Sequence, residues 1–202
     1  MHHVPVHFTV IINSVLAFIP FVIALYLFKL RQSRSFIWWL LATIFIVFLP
    51  NAAYVLTDII HFIAAYNSPT ISREMFWLAI LPFYLIFISL NFQFYVISVT
   101  WAYSYLLKKN INNSNLNRLF IPATHLLSAL GVYLGRFQRL ESDNIIHQPI
   151  IVFRDALKDI THENTLLIII LLSLIIGGFY LFFNRINLAL SKKYQTYQCN
   201  IN

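Results

Sequence analysis

Five long apolar stretches, the first without a single charged residue from position 8 to 28, dominate this sequence and restrict what it can become. About 20 consecutive apolar residues wound as an α-helix match the roughly 30 Å hydrocarbon core of a bilayer. In lipid, backbone N–H and C=O groups must be satisfied inside the segment itself, so helices are the form such stretches take. The expected fold class is therefore all-α: an integral membrane helical bundle of about five transmembrane helices, forming one domain over residues 1–202. The spans fall near 8–28, 36–56, 76–100, 119–134 and 165–183. Composition agrees, with 59% hydrophobic and 10% charged residues against about 25% charged in soluble domains. A water-soluble fold is excluded. The single cysteine, Cys199, allows neither an internal disulfide nor a cysteine metal cluster.

A net charge of +7 would suggest nucleic acid in a soluble protein, but here the basic residues flank the apolar runs. Nine Lys/Arg follow the first, third and fifth runs, and five (Arg73, Arg136, Arg139, Arg154 and Lys158) fall in the alternate loops. The positive-inside rule then places the chain in a cell membrane, the cytoplasmic membrane, with the N-terminus outside and the C-terminus in the cytoplasm. No nucleic-acid partner is expected; the first partner is the lipid bilayer. All seven acidic residues, from Asp58 to Glu163, lie in the outward loops. Acidic residues contribute little to topology, so their segregation points to ion pairing or to a site on the outer face. The longest loop carries Ile146, Ile150, Phe153, Leu157 and Ile160 at helical spacing, with Arg154, Asp155, Lys158 and Asp159 opposite. This predicts an amphipathic helix over 145–160 in the outer interface.

Two pairs of ionisable residues recur at a three-residue spacing. Asp58 and His61 lie where the second span leaves the membrane, and Arg136 and Arg139 where the fourth leaves on the same side. Residues three apart share a helix face. If the two helix ends are neighbours, carboxylate and guanidinium can pair, and a spare guanidinium can hold a phosphate or carboxylate ligand. Asp58 and His61 are then acid/base candidates, and Arg136, Arg139, Asn51 and Glu141 candidate substrate-binding residues. A structural latch at the bundle mouth explains the same residues. His125 sits about ten residues, or ~15 Å of helix, below Gly135. With Asn91 it is the candidate intramembrane polar site, and Asn51, Asn91 and Gln93 are the expected hydrogen-bond partners of its imidazole. No cofactor is expected. Zinc held by Asp58, His61 and His147 is the metal alternative, since Asp and His suit that ion. Prolines 20, 50, 82 and 122 fall within the first four spans, and Asn51 beside Pro50 is expected to bond the carbonyl that the proline frees.

The stretch Leu49-Pro50-Asn51-Ala52-Ala53-Tyr54-Val55-Leu56-Thr57-Asp58-Ile59-Ile60-His61, with Gly135-Arg136-Phe137-Gln138-Arg139-Leu140-Glu141-Ser142 downstream, resembles the bacterial membrane-protein family called domain of unknown function 1361. The first block matches an LPN-x-x-Y-x-x-TD-x-x-H pattern at every fixed position. In the second, the family pattern continues Asn-Ser-Trp-Asp where this chain reads Glu141-Ser142-Asp143-Asn144. The resemblance implies a multi-pass membrane protein and brings no activity with it.

Two function classes remain open at this stage. One is a membrane protein that binds or processes a lipid or envelope-derived anionic substrate at its outer face. The other is a non-catalytic small transporter or membrane assembly partner whose ion pairs are structural. Neither G-x-S-x-G nor S-x-x-K occurs, so no familiar nucleophile motif favours the enzyme.

Overall fold

The computed structural model describes residues 6–30, 34–108, 114–137 and 163–199, and every regular element among them is helical. Helix α1 (Val6–Ala24) runs into a π-turn at Leu25–Leu30. Helix α2 (Phe36–Tyr54) continues through a 3-10 turn, Val55–Asp58, into α3 (Ile59–Asn67). The short α4 (Arg73–Met75) and a π segment, Phe76–Ile80, lead into α5 (Leu81–Lys108). Helices α6 (Ser114–Phe137) and α7 (Glu163–Cys199) follow. The amphipathic helix expected over 145–160 lies outside the described residues.

Local chemistry sets these boundaries. The Ser35 and Ser72 hydroxyls accept the backbone N–H of Trp38 at 3.4 Å and of Met75 at 3.2 Å, satisfying donors that open a first turn. Helix α3 stops at Asn67 because Pro69 forces the preceding Ser68 into the extended conformation it adopts. The π-turn after α1 places the Leu27 carbonyl where the buried indole N–H of Trp38 donates to it at 3.3 Å, stitching the first hairpin together. At Asn51 the expectation fails: its amide makes no hydrogen bond among the described residues, so it does not satisfy the carbonyl freed by Pro50.

Four helical rods are long and apolar enough to cross a bilayer: Val10–Leu30, Phe36–Asn67, Arg73–Lys108 and Glu163–Lys193. Helix α6, with 24 residues, reaches about 36 Å at 1.5 Å per residue, but it is the more polar rod. Its polar groups are sheltered by protein, since His125 and Ser128 are buried and α6 packs against α2, α5 and α7. The chain is thus a membrane helical bundle with four to five long apolar helices.

Helix α5 lies at the centre and touches α1, α2, α6 and α7. Its residues Phe92, Tyr95, Val96 and Val99 are fully buried. The outward faces are equally apolar: Phe36, Leu78 and Leu174 are among many large exposed side chains, the surface expected against lipid. Contacts give the directions of the first four rods. Phe21 meets Phe94 and Phe28 meets Tyr105, so α1 and α5 run together. Helix α6 runs with α2, because Gly131 lies against Pro50 and Gly135 against Tyr54. A Cβ on Gly131 would sit 2.5 Å from Pro50 Cγ, so these two backbones approach as closely as only glycine allows. One end of the bundle collects Lys29, Arg34, Lys108 and Arg118; the other collects Asp58 and Arg136.

Candidate functional site at the Asp58 end

The fall from α-helix to 3-10 turn at Val55–Asp58 carries Asp58 into the bundle, where it is only 2% exposed. A carboxylate in such a place needs donors. The described residues supply one: the Asn13 amide of α1 donates to Asp58 Oδ2 at 2.8 Å. The other oxygen, Oδ1, is buried and has no partner among them.

Arg136 reaches across from the end of α6. Its two terminal nitrogens donate to the Tyr54 hydroxyl at 2.9 Å and to the Thr57 carbonyl at 3.1 Å. The guanidinium also lies 5.2 Å from the centre of the Tyr54 ring, within cation–π range. Thr57 in turn donates its hydroxyl to the Tyr54 carbonyl at 2.7 Å, which holds the turn that presents both acceptors. Arg136 and His61 are within electrostatic reach of Asp58, and Tyr84 of α5 lies close enough to feel its charge. The second and fourth rods therefore end as neighbours. Contact between them runs through neutral oxygens of α2, and the Asp58 carboxylate is held by Asn13 instead of by an arginine. His61 and Asn51 are half-buried on the same rod. Arg139, Glu141 and His147 lie outside the described residues, and among the described residues no group of three His, Cys, Asp or Glu could hold a metal.

A second polar cluster sits in the bundle interior. His125 Nδ1 is 2.8 Å from the Tyr95 hydroxyl, which also donates to Ser128 Oγ at 3.2 Å. The Tyr180 ring of α7 packs 4.9 Å from the imidazole, and its hydroxyl lies 3.3 Å from Thr100 Oγ1. The imidazole is thus served by a tyrosine, whose hydroxyl in turn donates to a serine, and among the described residues none of the three amides expected from sequence bonds it. Asn91 donates to the Phe87 carbonyl one turn back on its own helix, at 2.8 Å. Gln93 exchanges two amide hydrogen bonds with Asn187 of α7, at 2.9 and 3.2 Å.

Sequence reasoning missed Asn13, Tyr84, Tyr95, Ser128 and Tyr180. Asn13 carried a usable signal, as a lone amide inside an otherwise uncharged apolar run must find a partner. Tyr54 and Thr57 stood in the motif already, without a role.

The model of one protein family, described as protein of unknown function (DUF1361), matches residues 12–177. The chain belongs to this family. The matched region holds the residues of both clusters except Tyr180 and Asn187, and includes Asn13, Asp58, His125 and Arg136. Its long apolar helices make it a multi-pass membrane protein in a family of unknown function. No curated protein and no solved structure matches the chain.

Proposed function

We propose that this protein binds or processes a lipid or envelope-derived anion at the Asp58 end, which faces the outside of a bacterial cytoplasmic membrane. One observation carries the reading: among the described residues, a buried carboxylate with one satisfied and one unpartnered oxygen stands beside an arginine whose hydrogen bonds go to neutral groups. A guanidinium has five N–H donors, and two of Arg136's are used on Tyr54 and Thr57. Its charge and remaining donors suit a phosphate or carboxylate. Asp58 Oδ1 can take a hydroxyl proton from a ligand so held, with His61 as the second acid/base group. Any reaction would be proton transfer to or from such a hydroxyl.

The probe is short-chain phosphatidate, titrated onto protein purified into neutral-lipid nanodiscs. Arg136→Gln should weaken its binding at least about tenfold, the loss of roughly 1.4 kcal/mol that one charge-assisted hydrogen bond supplies. Asp58→Asn should keep the affinity while removing any turnover of the bound lipid. Equal affinity of Arg136→Gln and the unaltered protein would sink the proposal.

A second reading has its own support, because the two Arg136 bonds seen among the described residues cross from α6 to the end of α2 and the 3-10 turn after it, and act as a latch. In that case Asp58→Ala still recovers the same binding partner from membranes and no ligand is lost. Orientation has a separate check: reporter fusions after Ser33 and after Asn113 should both read cytoplasmic, and export of either would reverse the outside placement of the Asp58 end.

A further inference from the structure

A cavity of about 470 Å³ opens at the opposite end of the bundle, between α2, α5 and α6. Small side chains make the room: Ala42, Ala102 and Ala123 line it where larger residues would close it. The rest of the lining is almost wholly apolar, with buried Phe45 among its walls and exposed Arg34 bordering it. The exposed guanidinium of Arg34 lies 5.7 Å from both the Trp38 and the Tyr105 ring centres, and its Nε donates to the Tyr105 hydroxyl at 3.3 Å. Among the described residues, one of its five N–H donors is used. No carboxylate among the described residues stands near it, since Asp58, Glu74 and Glu163 all belong to the other end. Lys29, Lys108 and Arg118, all exposed, lie at the same end of the bundle.

Size and polarity select the occupant. A helix is 10–12 Å across and rises 5.4 Å per turn, so the cavity would take roughly one turn, too little to seat a partner helix. A flexible hydrocarbon chain fits an apolar slot that opens sideways into a bilayer, and a slot of this volume is in the range of ligand pockets. A neutral lipid would match the walls and leave the rim unmatched; an anionic headgroup matches both. We infer that the groove seats one acyl chain of an acidic phospholipid, with its phosphate on Arg34. This site is independent of the one at Asp58, lying at the far end of α2.

The test uses the full chain with Arg136→Gln as background, so that an anion site at the other end does not contribute. Phosphatidylglycerol and phosphatidylcholine of identical chains are titrated onto detergent-purified protein, and bound lipid is counted by native mass spectrometry. Phosphatidylglycerol should be retained at least tenfold better. Arg34→Gln should abolish that preference and Arg34→Lys restore part of it, because lysine keeps the charge but not the fork. Ala123→Phe, which fills the slot, should lower retention of both lipids. A preference that survives Arg34→Gln overturns the inference, as does equal retention of the two lipids by the background protein. So does an Ala123→Phe variant that changes the oligomeric state and leaves lipid retention unaltered, which would make a second copy the occupant. Arg34 is exposed on the rim, so its two variants decide the matter even where Ala123→Phe does not fold.

Discussion

Gly131→Ala should lower the stability of the purified protein by about 2 kcal/mol, while Gly178→Ala should leave it unchanged or raise it. Both glycines lie inside helices, so the substitution brings the same gain in helix propensity, up to about 1 kcal/mol. Their surroundings differ. The new Cβ at Gly131 would fall 2.5 Å from Pro50 Cγ and 2.6 Å from Pro50 Cβ, whereas nothing lies within 4 Å of the corresponding point on Gly178. A proline ring has no rotamer with which to step aside, so α2 and α6 must separate. Overpacking of this kind costs up to about 3 kcal/mol, which outweighs the propensity gain. Separation also draws Arg136 away from Tyr54 and Thr57, about one to two turns further along the same interface. Thermal unfolding in one detergent, followed by tryptophan fluorescence, measures the difference. Equal midpoints for the two variants would show that the close approach does not hold the helices together.

The second large effect is expected at Asn13. Asn13→Leu removes the donor that Asp58 Oδ2 accepts and leaves a buried carboxylate with neither oxygen bonded among the described residues. An unsatisfied buried group costs about 1–3 kcal/mol, and more when charged, so a loss of about 3 kcal/mol is expected. Replacing both partners is different, because a pair of apolar groups leaves nothing unsatisfied. The double variant Asn13→Leu with Asp58→Leu should regain most of that stability. Its ligand binding then separates the two functional readings. A double variant that folds well but no longer carries out chemistry marks Asp58 as kept for function. One that folds well and still recovers its membrane partner marks the pair as dispensable packing. Should Asn13→Leu alone be as stable as the unaltered chain, the 2.8 Å bond supports neither α1 nor the site.

Much of the fold was legible because a bilayer imposes a crude code. Apolar length translates directly into span, and the runs near 8–28, 36–56 and 165–183 each fall within a long rod. Which face of each rod turns inward was not legible. Both the lipid and the core are apolar, so the periodicity that betrays an amphipathic helix in water is erased: buried Phe92 and exposed Leu90 look alike in sequence. The neighbourhood of the second and fourth helix ends could be read from Asp58 and Arg136, since charges at a boundary call for company. The partners could not. A hydroxyl or amide can bond so many groups that Tyr54, Asn13 and Tyr95 were anonymous until the helices were placed. His125 shows the limit, as three amides were plausible on depth and the bond went to a tyrosine that composition classed with the aromatic packing.

Helix α7 meets α5 in a way that bears on how the last rod can move. Thr100 and Gln93 stand seven residues apart on α5, and they join Tyr180 and Asn187, seven apart on α7, in reversed order. The two rods are therefore joined at two separate places along their lengths. A single point of attachment would be a pivot. Two points about 10 Å apart behave as a bracket, fixing the angle of α7 along with its position. Any swing of its basic C-terminal half against the bundle must therefore bend the helix beyond Asn187 or unfasten both joints at once.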